Sequence, residues 1–458
     1  MTVDVLMSCF ALVVIGLTGW MVVKRYQTAM VLLMAGLSMI IFAVVCGVTG
    51  FLPKGMKSSG LIGFDVIDLL RSIAVKQVSG IGLLIMVAGG FAAYMDRIGA
   101  ARALVNVCIT PLKSLSSPYL IMVFGYLIGQ MLCMVIPSAA GLAMLLLVAL
   151  YPILEGVGVS PVASAAVIVT CSGMAMGLGS GTSNLAARVA GMDPIIYFVQ
   201  CQLPVVIPSL VVIAICHYFV QRYYDRRNDD VYTEENIKNT VEQRSVPVWY
   251  ALLPPLPIAL MIIFSPLTFS SIRLNTISAL LLVWIAVVVL EMIRRREVKE
   301  VLKDGSCVFK SMGSMFTSIV ALIICVEFFA NGLKITGLID ALIVHAQNLG
   351  LGLNGMTVVL TGVVGIVSVL TGSGVGAFSS FAALAPDVAS GLGGSAASFV
   401  NPMQLSCGIM RSISPVAGAM IAMAGAVGVT PVALIRRTFI PMMAGFVAVL
   451  LFNFLFIG

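Results

Sequence analysis

The chain has 458 residues, 60% of them hydrophobic and only 10% charged, with a formal net charge of +7. Apolar runs of about 20 residues recur from end to end, each long enough to cross a ~30 Å hydrocarbon layer, which predicts an all-α polytopic membrane protein and excludes an ordinary soluble domain. The basic residues lie in short loops, where they set topology and say nothing of nucleic acid.

A first span over residues 3–23 ends at Lys24 and Arg25. It carries no small-residue cleavage site and is expected to stay as a helix. A second span covers 29–51. The stretch 61–75 has charges at helical spacing, which predicts an amphipathic helix at the membrane interface. A third span follows over 79–95, then a possible horizontal arm over 99–111.

Two apolar halves, 118–136 and 142–155, flank PSAAG at Pro137–Gly141. The second is too short to cross comfortably, so the pair is expected to form a re-entrant hairpin with its tip at PSAAG. Residues 160–200 read as one broken span, interrupted by GLGSGTSN at Gly177–Asn184. A span over 203–221 completes the first unit. The charges of 222–247 are mixed, as in a solvated linker.

The same order then returns: spans over 248–266, 275–293 and 311–333, an arm over 337–350, and a hairpin over 354–390 with TGSGVG at Thr371–Gly376 as its tip. A broken span over 395–427, interrupted by RSISP at Arg411–Pro415, and a last span over 438–457 finish the chain. Pro194 and Pro431, Pro204 and Pro441, and Gly191 and Gly428 are each 237 residues apart, and Gly99 and Gly337 are 238 apart. Four matches in register predict a duplication. The units are 1–221 (scaffold spans 1–117, hairpin and broken helix 118–221) and 248–458 (scaffold spans 248–353, hairpin and broken helix 354–458).

Each unit has five crossings, because a hairpin leaves on the side it entered. The second unit is therefore expected to be inverted, as in secondary transporters whose discontinuous helices meet near the midplane. With the loop at Lys24 in the cytoplasm, 18 of the 26 basic residues fall on that side and 6 on the other. This asymmetry supports the topology and places both termini in the periplasm.

The four breaks are the candidate site. Broken backbone at membrane depth is tolerated only where it is buried in protein or lines a cavity. The expected binding residues are Ser138, Ala139 and Gly141 at the first tip; Thr182, Ser183 and Asn184 at the first broken span; Thr371, Gly372, Ser373 and Gly374 at the second tip; and Arg411, Ser412, Ser414 and Pro415 at the second broken span. Half-helix N-termini favour an anion there, and loose carbonyls favour a cation. Small residues also let helices pack closely, so a single Ser or Gly decides nothing. Arg411 is sharper, since an intramembrane guanidinium is costly and binds carboxylate bidentately. Arg188 is a possible second cation. Glu327 is a possible carrier of a coupling proton, although a satisfied polar residue at a helix interface is the plainer reading.

The ten cysteines lie mostly inside apolar runs without CxxC spacing and read as small core residues. His217 and His345 are far apart, so no His-based metal site is expected. No HExxH, no GxSxG with a partner His, and no acidic pair at fixed spacing supports an intramembrane enzyme.

GFAAYMDRIGA (Gly90–Ala100), SPYL (Ser117–Leu120), SAAGLAMLL (Ser138–Leu146), TGSGVGAF (Thr371–Phe378), SISPVAG (Ser412–Gly418) and RTFIP (Arg437–Pro441) resemble the DcuC-type anaerobic C4-dicarboxylate transporter family, within the ion transporter superfamily. The resemblance runs over essentially the whole chain. It implies an elevator-type fold with a scaffold and a moving domain built around two hairpins, a homodimer, and a place in a bacterial inner membrane. It further implies exchange, uptake or efflux of fumarate, succinate, malate or aspartate. Arg411 and Ser414–Pro415 match the family pattern. At the second tip the family reads GSGNAPF, whereas this chain has Val375 for Asn and Ala377 for Pro. The expected function is therefore carboxylate transport by exchange or by symport with Na+ or H+. A monocarboxylate or amino-acid-derived anion is the alternative substrate, and a passive anion channel is a remote one.

Overall fold

The computed structural model describes residues 3–24, 26–53, 56–115, 117–227, 247–264, 274–338, 341, 344 and 352–458. Most of the linker (228–246), most of the second arm, Arg25, Lys54, Arg273 and His345 lie outside the described residues. Every regular element among the described residues is helical. Eight helices among them are long and apolar enough to cross a membrane.

The stretch 62–97 forms two helices, Ile62–Gln77 and Leu83–Arg97, which meet at a kink in Val78–Gly82. The charges that suggested an interface sit near the start of the first, where buried Asp65 accepts hydrogen bonds from Ser58 and Ser59. Between them Gly80 is non-helical (φ −93, ψ −110), and the kink there separates the two helices.

Three other long pairings build the frame. Thr28–Val45 packs on Ala321–Ile335, Leu83–Arg97 on Cys307–Met315, and Leu203–Arg227 on Pro431–Phe456. The first is close because Gly36 faces the Phe329 backbone, where a Cβ would lie 2.9 Å from its Cα. Small residues let helix backbones approach in this way.

Local detail recurs along the chain at a nearly constant spacing. Ser138 and Ser373 each cap a helix by accepting from a glycine N–H three residues on, as Ser160 and Ser395 do from Ala163 and Ser398. Each pair is 235 residues apart. The π-turns Val78–Gly82 and Phe316–Val320 are 238 apart. The N-caps Asp193 and Thr430, each followed by Pro, are 237 apart. The halves nevertheless share their cores. Leu142, Leu146 and Leu147 of the first hairpin bury with Met420 and Met423, and Phe378 and Ala382 of the second with Leu185 and Ala186.

Candidate functional site

The first hairpin is Pro118–Cys133 followed by Ala139–Ala149 and Tyr151–Gly156, with residues 134–138 as its tip. The second is Leu353–Thr371 followed by Gly374–Ala382 and Ala385–Gly391. The second tip, 372–373, lies within the expected Thr371–Gly376, whereas the first overlaps the expected Pro137–Gly141 only at Pro137 and Ser138, because the helix resumes at Ala139. The first broken span does not break where expected. Its first half, Pro161–Thr170, ends six residues early, the irregular stretch is 171–180, and Gly181–Val189 resumes the helix. Thr182, Ser183 and Asn184 are therefore in a helical first turn and not in the gap. The next helix begins at Pro194 and runs, with a π-turn at Phe198–Gln202, to Arg227. The second broken span is Ala396–Arg411, a gap at 412–417, and Gly418–Ala426. Pro402 sits inside its first half without ending it.

The four interruptions touch in a chain. The first tip meets the first break at Gly179, where a Cβ would lie 2.3 Å from Met134 O. The first break packs on the last turn of the helix leading into the second at Gly408, where a Cβ would lie 2.4 Å from Gly173 O. Arg411 crosses the same junction, its Nη2 donating to Ser172 O (2.8 Å) and Ser172 Oγ (3.1 Å). The second break meets the second tip where Ser414 Oγ donates to Val369 O (2.6 Å). There Gly372, in the left-handed region at φ 70, faces the Val416 carbonyl.

Beside these junctions lies a cavity of about 1230 Å³. Arg411, Ser172, Ser180, Thr182 and Ser138 supply polar groups on its wall, and Gly141, Val375 and Ser379 line it too. It runs out past Asp96 and Arg102 to the exposed Asn106 and Thr110 on the Ala100–Ile109 arm and the turn after it.

The expected residues divide accordingly. Ser138, Gly141, Thr182 and Arg411 line the cavity. The others do not, and several have their polar groups engaged in the protein. Ser183 Oγ donates to Gln202 Oε1 (3.0 Å), and Asn184 Nδ2 donates to the carbonyls of Leu178 and Ser180 (2.8 Å each). Thr371 and Ser412 bond back to the carbonyls of Val367 and Gly408. Ser373 caps the second half of its hairpin, beside Gly374, whose missing Cβ admits Cys407 O. Ala139, Gly372 and Pro415 shape the tips and the gap without lining the cavity. Arg188 is exposed, and its guanidinium packs on Gly80, where a Cβ would lie 2.2 Å from Nη1. Glu327 is half-buried off the cavity wall, on the helix that packs against Thr28–Val45.

Sequence reading missed Ser172, Ser180 and Ser379 on the wall and two glutamines behind it. Gln404 Nε2 donates to Ala175 O (2.6 Å) and Thr182 Oγ1 (3.1 Å). Gln202 Nε2 donates to Gln404 Oε1 (2.7 Å), while its Oε1 accepts from Gly177 N and Ser183 Oγ (3.0 Å each). This buried clasp fixes the irregular stretch 171–180 against both neighbouring helices. Its members satisfy each other, which is how polar groups survive away from water.

Behind the first half-helix is a second buried network. Asp225 accepts from Ser160 Oγ (2.6 Å) and Arg437 Nη1 (2.5 Å), and Gln221 links Arg437 O to His217, whose Nε2 meets Thr170 Oγ1 at 3.0 Å. It ties Pro161–Thr170 to both long C-terminal helices of the halves. Among the described residues no group of His, Cys, Asp and Glu could hold a metal ion. The ten cysteines are free.

The sequence matches the DcuC family, described as C4-dicarboxylate anaerobic carriers, over residues 6–457. This chain belongs to the DcuC family. It is thus a multi-pass membrane transporter and not an enzyme. Among DcuC relatives, it is 32% identical over 452 residues to the probable anaerobic C4-dicarboxylate transporter DcuC of Vibrio cholerae serotype O1, covering 98% of each chain. It is 30% identical over 438 residues to the anaerobic C4-dicarboxylate transporter DcuC of Escherichia coli K12, covering 96% of this chain and 94% of that one. Among solved structures, this DcuC member is similar to the YdaH transporter of Alcanivorax borkumensis, with a TM-score of 0.65, 14% identity, and coverage of 94% and 98%. It is also similar to Neisseria gonorrhoeae MtrF, described within a class of antimetabolite efflux pumps, with a TM-score of 0.60, 13% identity, and coverage of 92% and 94%. At such identities the likeness concerns the fold alone.

Proposed function

We propose that this chain is a secondary transporter of small dicarboxylates, with one substrate carboxylate held on Arg411. One observation carries the reading. Arg411 lines a large cavity beside two helix breaks, and among the described residues its only polar partners are the two neutral oxygens of Ser172. A half-buried cation at membrane depth without a counter-charge is unfavourable, and an anion entering the cavity supplies the missing charge. A carboxylate matches the guanidinium fork bidentately. The names of the DcuC relatives support a four-carbon dicarboxylate such as fumarate, succinate, malate or aspartate.

Movement is proposed to be of the elevator kind, with hairpins and broken helices passing a scaffold made of the first three spans of each half. The repeated caps and π-turns support a duplication, and five crossings per half make the repeats inverted. The basic residues support a cytoplasmic Arg97 end and periplasmic termini in a bacterial inner membrane. On that topology the cavity, which runs out at the Arg102 arm, faces the cytoplasm. The family resemblance implies a homodimer. Coupling is by exchange, or by symport with Na+ or H+.

A monocarboxylate or amino-acid-derived anion is the second reading, favoured by the single guanidinium among the breaks. The test is counterflow in proteoliposomes. Vesicles loaded with unlabelled succinate should accumulate labelled fumarate, saturably and only when loaded. Accumulation driven only by monocarboxylates selects the second reading, and flux that does not saturate selects a passive pore.

A further inference from the structure

The helix Leu203–Arg227 ends in a cluster of arginines, just before the mixed-charge stretch 228–246. Its outer face carries a row at four-residue spacing: Ile207, Val211, Ile215, Phe219 and Tyr223, all exposed, and then exposed Arg227. Residues four apart lie one above the next on a helix, so this is an apolar strip that finishes in a guanidinium. Three arginines at this end are held on tyrosine rings. Arg227 lies over Tyr223, 4.8 Å from the ring centroid, and Arg222 lies over Tyr218 at 5.8 Å while donating to its hydroxyl at 3.1 Å. Arg436, from the neighbouring helix Pro431–Phe456, lies over Tyr224 at 5.3 Å. A ring face positions a cation without neutralising it. The carboxylate beside them, Asp225, is turned inward to Arg437 and Ser160. Arg222, Arg226 and Arg227 make no ion pair among the described residues.

This helix belongs to a segment, Pro194–Arg227, long and apolar enough to cross a membrane. Its arginine end therefore lies where hydrocarbon gives way to headgroups, the depth that suits arginine and tyrosine side chains. From Ile207 to Tyr223 the row is ~24 Å long at ~1.5 Å per residue, more than half of a ~30 Å hydrocarbon layer. We propose that Arg222, Arg226, Arg227 and Arg436 bind the phosphate of an anionic phospholipid, with an acyl chain lying along the Ile207–Tyr223 row. The phosphodiester brings the negative charge that the protein does not supply at this end, and guanidinium groups donate to phosphate oxygens in pairs. A zwitterionic lipid also has a phosphate, but its own ammonium cancels the charge. Because Arg436 comes from the neighbouring helix, the headgroup bridges the outer side of the joint that Asp225 and Arg437 tie from inside. The inference rests on the membrane placement alone and holds for any substrate of the cavity.

The test measures binding of a fluorescent phosphatidylglycerol to the purified full chain in a neutral detergent, with a fluorescent phosphatidylcholine alongside. Wild type should prefer phosphatidylglycerol by about tenfold or more, and added salt should erode the preference. Arg222→Gln/Arg226→Gln/Arg227→Gln should weaken phosphatidylglycerol binding roughly hundredfold, at about fivefold per arginine, and leave phosphatidylcholine binding within about twofold. Lys299→Gln/Lys303→Gln/Lys310→Gln removes the same charge from exposed positions elsewhere and should leave both lipids within about twofold of wild type. If the arginine triple variant fails to fold, Arg227→Gln alone replaces it and should cost about fivefold. Equal binding of the two lipids by wild type, or an equal loss in the lysine variant, overturns the inference. Full displacement of phosphatidylglycerol by an equal concentration of glycerol phosphate, which has the phosphate and no chains, also overturns it and marks a site for soluble anions.

Discussion

Arg411 Nη2 reaches across the chain to Ser172 and donates to both its carbonyl and its hydroxyl. The two residues sit at the two helix breaks, so the guanidinium is both the cation of the cavity and the tie between the interrupted segments. Ser172→Ala removes one of two acceptors and leaves the carbonyl. It should cost about 1 kcal/mol in aiming the guanidinium, a several-fold rise in KM for fumarate with maximal rate kept. Initial rates over a range of fumarate concentrations check this.

Gly408→Ala should prevent folding of the site. The added Cβ would lie 2.4 Å from Gly173 O, a backbone atom that cannot swing away. The yield of monodisperse protein in detergent should collapse. Gly418→Ala, where a Cβ meets nothing within 4 Å, should behave as wild type.

The amide clasp makes a thermodynamic prediction. Gln404→Leu leaves Ala175 O, Thr182 Oγ1 and the Gln202 amide short of partners. It should lower stability by roughly 2–3 kcal/mol, with thermal unfolding in detergent as the readout. Adding Gln202→Leu should cost less than the sum of the two single changes, because the residues share one network.

These positions show what the sequence could and could not reveal. Glycine, serine and proline clusters inside apolar runs announce a break, so the second hairpin tip and the gap after Arg411 were legible, and the first tip was read three residues late. The meeting of the four breaks followed from the rule that open backbone needs a protein or cavity partner. The first gap was misplaced because Gly177–Asn184 looks polar, whereas the helix ends at Thr170. Its polar residues resume a helix whose side chains Gln202 and Gln404 occupy. No local pattern foretells a bond between residues 222 positions apart, such as Gln404 and Thr182. Ser379 was hidden for the opposite reason. Inside GAFSSFA it looks like its neighbour Ser380, and only the three-dimensional path shows that Ser380 bonds back to a carbonyl while Ser379 lines the cavity with its hydroxyl buried.

The buried Asp225–Arg437 pair should matter for stability and not for affinity. Its charges are nearly out of water, with Arg437 2% exposed. Asp225→Ala removes the carboxylate that neutralises the buried guanidinium and should cost ~3–5 kcal/mol. Fumarate KM measured on the folded fraction should be unchanged, because neither residue lines the cavity.

Lys334 and Asp387 join the Ala321–Ile335 helix to the second hairpin at 3.1 Å, with both side chains well exposed. Lys334→Ala should change stability by no more than ~1 kcal/mol. If the hairpin moves past this helix, Lys334→Cys/Asp387→Cys bridged by a short bifunctional thiol reagent should stop transport. The ten native cysteines must first be replaced. Full transport by the bridged protein would contradict an elevator movement of this hairpin.

The most direct test of the central claim is fumarate counterflow by Arg411→Ala and Arg411→Lys, each shown to be folded and reconstituted at wild-type density. Arg411→Ala should abolish succinate-dependent accumulation. Arg411→Lys, which keeps the charge and loses the fork, should retain only a small fraction of it. Saturable accumulation by Arg411→Ala with a wild-type KM would contradict the assignment of the substrate carboxylate to this residue.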